Sequence, residues 1–157
     1  MMLNLEPAFA EMFLAVGICT ILIADLFVPQ SRRDITYVLS LLCLAGTAWV
    51  GLTIKLDSIP LVIFSGNFVA DPFSQFLKIF AIVIVGAAFV NSRGYLRARE
   101  LYRGEYYVLG LFALLGIMVM ISAFSLLTMY LGLEILSLAL YVMVAFDRES
   151  PIAAEAA

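Results

Sequence analysis

The chain has 157 residues, of which 64% are hydrophobic and only 13% charged, with a formal net charge of −3. No soluble domain of this length hides so much apolar surface, so the composition points to a membrane protein. There is no histidine, which excludes a histidine-based metal site or general base.

Hydropathy predicts an all-α integral membrane protein with five transmembrane helices at about 8–28, 36–54, 72–90, 106–122 and 124–146, forming a single membrane segment over 1–157. The first span stops at Pro29 and the polar run Gln30-Ser31-Arg32-Arg33-Asp34. It carries Glu6 and Glu11 where a cleaved signal would carry basic residues, and it is too long for a signal core. The second span ends at Lys55-Leu56-Asp57. Cys19 and Cys43 fall inside apolar spans and read as small core residues rather than a disulfide or metal pair.

The loop 56–71 has two readings. Leu61-Val62-Ile63-Phe64 and Phe68-Val69-Ala70 flank Ser65-Gly66-Asn67, which is a β-hairpin signal. An irregular interfacial loop is the other reading. Asp71 before Pro72 is a natural cap for a helix with proline at its first position. Lys78, about two turns into the third span, either snorkels to the interface or faces inward as a second proton-path group. Asp25, one turn from the end of span one, is expected to reach the headgroups, and Glu11 to lie near the opposite interface.

The third span is followed by a basic stretch from Asn91 to Glu105. It is short and mixed with Glu100 and Glu105, so nucleic acid is not an expected partner. The apolar run 106–146 would be about 60 Å long as one helix, twice a hydrocarbon core of about 30 Å. It must fold back, and Ser122-Ala123-Phe124-Ser125 is the expected turn.

All seven arginines fall on one set of loops: Arg32 and Arg33, then Arg93, Arg97, Arg99 and Arg103, then Arg148. The opposite loops offer Lys55. By the positive-inside rule the arginine loops are cytoplasmic, the N-terminus is outside and the segment ends inside.

Glu134 lies in the middle of the last span, in Leu131-Gly132-Leu133-Glu134-Ile135-Leu136-Ser137. A carboxylate at that depth costs on the order of 2–3 kcal/mol on insertion scales. The default reading is a group that holds or passes a proton or cation, with a partner on a neighbouring helix. The alternative is a helix-packing group. Ser137 and Tyr130 share its helical face. With Thr128 and Ser125 they form a polar stripe, or they bond back to their own helix carbonyls.

Gly104-Glu105-Tyr106-Tyr107-Val108-Leu109, the run from Leu111 to Ala123, and Leu126-Leu127-Thr128-Met129-Tyr130-Leu131-Gly132-Leu133-Glu134-Ile135-Leu136-Ser137 closely resemble the antiporter-like membrane subunits of NADH-quinone oxidoreductase, respiratory complex I. Among these the match is to the N-terminal third of subunit N. The related subunits L and M and the Mrp-type cation/proton antiporters typically have Trp where this chain has Leu133. An Mrp-type antiporter subunit, or a related membrane-bound complex, is the alternative. Asp71-Pro72-Phe73-Ser74 also matches the family's start of helix three.

The resemblance implies a proton-translocating subunit that couples electron transfer from NADH to quinone to pumping, with Glu134 as the proton-path carboxylate. Its lysine partner would then lie on a helix beyond Ala157. No cofactor is expected in this chain: NADH, FMN, iron–sulfur clusters and quinone belong to partner subunits. The implied partners are subunits M, K and J and the lipid bilayer. The implied location is the bacterial cytoplasmic membrane, ahead of the mitochondrial inner membrane.

Overall fold

The computed structural model describes residues 5–28, 34–54, 60–99 and 102–146. The charged positions Arg32, Arg33, Lys55, Asp57, Glu100 and Arg148 lie outside the described residues. Five helices follow in chain order: α1 (Phe9–Phe27), α2 (Asp34–Thr53), α3 (Pro72–Ala98), α4 (Glu105–Ile121) and α5 (Leu126–Val144). A short 3₁₀ turn, Glu6–Ala8, precedes α1. Between α2 and α3 lies an antiparallel hairpin, β1 (Leu61–Ile63) and β2 (Phe68–Ala70), with Leu61 opposite Ala70 and Ile63 opposite Phe68.

Four helices are long and apolar enough to cross a membrane, and α4 is a shorter apolar helix of 17 residues. Their outer surface is covered with exposed apolar side chains such as Leu26, Phe27, Trp49, Phe73, Phe76 and Leu126. That surface suits lipid and not water. The chain is a multi-pass membrane protein.

Helices α1 to α4 form a bundle in which α4 is the central element. It packs on α1 and α3, and more lightly on α2, while α2 also joins α1 and α3. Its side chains Tyr107, Leu111, Leu114 and Met118 are fully buried, with Leu14 and Ile18 of α1 against them. Helices α1 and α3 therefore stand on a diagonal. Helix α5 lies outside this bundle and packs chiefly on α4.

The α4–α5 contact is a glycine crossing. A Cβ at Gly116 would lie 2.7 Å from the Gly132 carbonyl oxygen, and a Cβ at Gly132 would lie 2.9 Å from the Gly116 carbonyl oxygen. Only glycine lets the two backbones approach so closely, as at many membrane helix interfaces.

Helix boundaries follow local chemistry. Asp71 caps α3 through a capping box: the Ser74 amide donates to Asp71 Oδ1 at 3.1 Å, and the Asp71 amide donates to Ser74 Oγ at 3.2 Å. Ser125 caps α5 by accepting from the Thr128 amide at 3.2 Å. The turn of the 106–146 run is where the sequence placed it. Helix α3 is longer than expected. It runs through Asn91 to Ala98, because the emergence of charge marks a membrane surface and not a helix end. The isolated Gly94 is tolerated within it.

The hairpin expectation is met, with a four-residue connection, Phe64 to Asn67, in place of a two-residue Gly-Asn turn. Phe64, Ser65 and Gly66 all have positive φ, at 53°, 57° and 88°. The hairpin is tied to the α4–α5 turn: the Val69 amide donates to the Ser122 carbonyl at 2.9 Å, and the Phe124 amide to the Asn67 carbonyl at 3.1 Å. The bundle thus has a hairpin end and, opposite it, an arginine end formed by the end of α3.

Candidate functional site

Glu134 does not point into the bundle. Gly132 and Ala139 are the buried residues of α5, and they face α4. Two residues past Gly132, Glu134 is rotated by about 200° from the packing face. It is exposed. Its carboxylate has no hydrogen-bond or ion-pair partner among the described residues. Tyr130 is exposed as well. Ser137 Oγ donates to the Glu134 carbonyl at 3.1 Å, and Ser125 and Thr128 serve the α5 cap. The hydroxyls of Ser125, Thr128 and Ser137 therefore serve their own helix and do not build a stripe around the carboxylate.

Lys78 faces inward and is not paired with Glu134. Its Nζ lies 2.5 Å from Glu11 Oε1, and both residues are 7% exposed. The lysine stem crosses the diagonal from α3 to α1. The contact is one of charge, since neither Glu11 oxygen has a donor in hydrogen-bonding alignment. The Phe68 ring of the hairpin covers the ammonium at 5.0 Å from its centroid. Beside Lys78 a cavity of about 20 Å³ lies on the bundle axis, lined by Thr47, Gly51, Gln75 and Met118 among others. Gln75 Nε2 donates to the carbonyls of Gly51 and Ile54, closing the end of α2.

The expectation for Glu11 is a place near the interface; the structure sets it at the third position of α1, buried and paired with Lys78. The signal was present in the sequence. Glu11 is at the third position of α1 and Lys78 at the seventh of α3, and both helices start from the hairpin end. A lysine stem spans that small difference in depth.

The arginine end carries a different polar cluster. Asp34 Oδ1 accepts from Arg93 Nη2 at 3.0 Å, Arg97 Nη2 at 2.5 Å and Tyr102 Oη at 2.6 Å. Burial, with the Asp34 carboxylate beside it, pushes the Tyr102 phenol up. Asp25 does not reach outward. It accepts from Thr36 Oγ1 at 2.5 Å, and its carboxylate rests against Gly104, where any Cβ would collide with it. Tyr107 fills the axis here, ringed by Tyr37, Phe89, Tyr102 and Tyr106 at centroid distances of 5.2–6.2 Å.

Cys43 is buried against Gly17, whereas Cys19 is exposed on the apolar surface, and both are free thiols. Among the described residues no group of three His, Cys, Asp or Glu side chains could hold a metal ion.

The fold and these charges define a helical multi-pass membrane protein that carries ionisable side chains within its spans. No family model matches the chain. Individual relatives do. It is 55% identical over 153 residues to NADH-quinone oxidoreductase subunit N of Thioalkalivibrio sulfidiphilus, covering 96% of this chain and 31% of that protein. It is 47% identical to the subunit N proteins of Thiobacillus denitrificans and Nitrosomonas europaea, covering 99% and 98% of this chain and 32% of each relative. The chain is similar over nearly its whole length to NADH-quinone oxidoreductase subunit N. It spans about a third of the length of these relatives.

Proposed function

We propose that this chain is part of a proton-translocating subunit of NADH:quinone oxidoreductase, with Glu134 as its proton-path carboxylate. The observation that carries the reading is the placement of Glu134. The glycine crossing turns it away from the bundle, on an otherwise apolar helix face. The relatives are about three times longer, so that face is available to the rest of the subunit. A lysine there would compensate the carboxylate. When a coupled change draws the ammonium away, the carboxylate takes up a proton, and the return of the ammonium releases it.

In this reading the chain holds no redox centre. NADH, FMN, iron–sulfur clusters and quinone are served by partner subunits, and neighbouring membrane subunits such as M, K and J complete the assembly. The membrane is the bacterial cytoplasmic membrane. The arginine end faces the cytoplasm and the hairpin end faces outward.

Glu134→Gln in the full-length subunit tests the reading. Glutamine keeps the volume but cannot ionise. Proton pumping and quinone reductase activity should fall while the complex still assembles, and unchanged pumping in sealed vesicles would reject the role of Glu134. Orientation is tested separately with cysteine labels. A label at Ala98 should react only from the cytoplasmic side and one at Asn67 only from outside.

A further inference from the structure

We propose that Lys78 is a second proton-carrying residue of this subunit, exchanging protons with water at the hairpin end, with Glu11 as its fixed counter-charge. The inference rests on reading the subunit as a proton-moving one.

Four observations carry it. The first is cost. Two charges are held about 9 Å or less inside the ends of membrane helices. A buried ion pair gives no more stability than a well-packed apolar pair of the same size, and often less. Bundle stability alone does not call for Lys78 and Glu11 here.

The second is a water-sized space beside Lys78, with a sealed axis beyond it. The cavity beside Lys78 has room for about one water. Such a water would find polar partners in Lys78 Nζ and the side chains of Thr47 and Gln75. Glu11 does not line it, so Lys78 is the member of the pair that can exchange. Further along the axis the bundle is sealed by Leu14, Ile18, Leu111 and Leu114, all fully buried. The Ser40 hydroxyl there is bonded to its own helix, at 2.8 Å.

The third is isolation. Glu11 is the one charged group against the ammonium among the described residues. Helices α2 and α4 and strand β2 present Thr47, Met118, Phe68 and Ala70, none of which titrates. The fourth is the lid. Phe68 covers the ammonium from a hairpin whose backbone is bonded to the turn that starts α5, the helix of Glu134.

The proton step balances simply. One Nζ–H bond of Lys78 breaks as an O–H bond forms on the cavity water, and that water releases one of its own protons to solvent at the hairpin end, leaving a neutral amine beside the Glu11 carboxylate. The reverse step takes a proton from that water and restores the ion pair.

The test uses the full-length subunit in its complex, in sealed vesicles, reading proton flux per NADH oxidised and the amount of assembled complex. Lys78→Arg keeps a cation for Glu11 but stays protonated at every accessible pH. It should assemble while proton flux per NADH falls by roughly tenfold or more, as expected for losing a positioned proton-transfer group. Wild-type flux with arginine overturns the proposal.

Glu11→Gln with Lys78→Gln removes both charges without stranding either. It should assemble and lose flux similarly, and wild-type flux again overturns the proposal. Failure of both variants to assemble assigns the pair to folding and also overturns it. Glu134→Gln is run beside them. If it loses pumping while Lys78→Arg does not, this inference alone fails. If both pump normally, the reading of the subunit fails.

Discussion

At the arginine end the bundle axis is filled by Tyr107, 0% exposed and ringed by four aromatic side chains, with the charges of Asp34, Arg93 and Arg97 kept on the rim. At the hairpin end the same axis holds Lys78 and Glu11, with a water-sized gap and a single covering ring. One end is closed by apolar packing, with Asp34, Arg93 and Arg97 on the rim and the Asp25 carboxylate turned inward onto the Thr36 hydroxyl. The other encloses charge. Enclosed charge is stabilised only while its partner is present, whereas rim charge is stabilised largely by solvent. The proposed exchange at the hairpin end rests on this contrast, with the arginine end as its closed counterpart. Each claim can be broken by substitution.

The largest effect is expected at the hairpin end. Lys78→Met leaves the Glu11 carboxylate buried without a cation. Breaking one side of a buried pair costs about 3–5 kcal/mol. The thermal stability of the assembled subunit should drop, and adding Glu11→Gln should recover much of the loss. Strict additivity of the two substitutions would show that the pair is not coupled and would erase the contrast between the ends.

Next comes the crossing that orients Glu134. Gly116→Ala places a methyl group 2.7 Å from the Gly132 carbonyl and 2.7 Å from the Leu136 amide, both backbone atoms that cannot swing aside. Overpacking of this kind costs about 1–3 kcal/mol. Helix α5 should shift on α4, measurable as a change in cross-linking between cysteines placed on the two helices. An unchanged cross-linking pattern would mean that the crossing does not set the face of Glu134.

Much of this was legible in the sequence. The five helices follow from apolar runs, the turn near Ser122 from a length that no single helix could use, the Asp71 cap from its place before Pro72, and the hairpin from two apolar runs around Gly66-Asn67. Helix α3 overran its expected end because helicity continues into the headgroup region. The burial of Glu11 and the inward turn of Asp25 were not read, because depth along a span says nothing of which neighbour a side chain meets. The rotation of α5 depends on Gly116 and Gly132 meeting face to face. That is a relation between two helices that neither glycine announces alone.

At the arginine end, Tyr107→Phe separates packing from polarity. The Tyr107 hydroxyl is buried without an aligned hydrogen bond among the described residues. Its ring does the filling. Removing the oxygen should therefore change stability by about 1 kcal/mol or less. Tyr107→Ala, which empties the ring volume, should cost about 3–5 kcal/mol. A phenylalanine variant as unstable as the alanine one would show that this end depends on a buried polar group after all, and the two ends would then differ less than their packing suggests.

The smallest effect is expected on the rim. Asp34 joins Arg93, Arg97 and Tyr102, but its side chain is 54% exposed. Water already solvates most of this cluster, so Asp34→Asn should weaken stability only slightly at low salt. The same cluster is open to mobile ions. Near 1 M salt, where the screening length is about 3 Å, the difference from wild type should vanish. The Lys78→Met deficit should persist at that salt, because ions do not enter the space between Lys78 and Glu11. Comparing the salt dependence of the two variants therefore separates enclosed charge from rim charge without reference to pumping. A Lys78→Met deficit that fades with salt as the Asp34→Asn deficit does would place both clusters in solvent and remove the physical basis for exchange at the hairpin end.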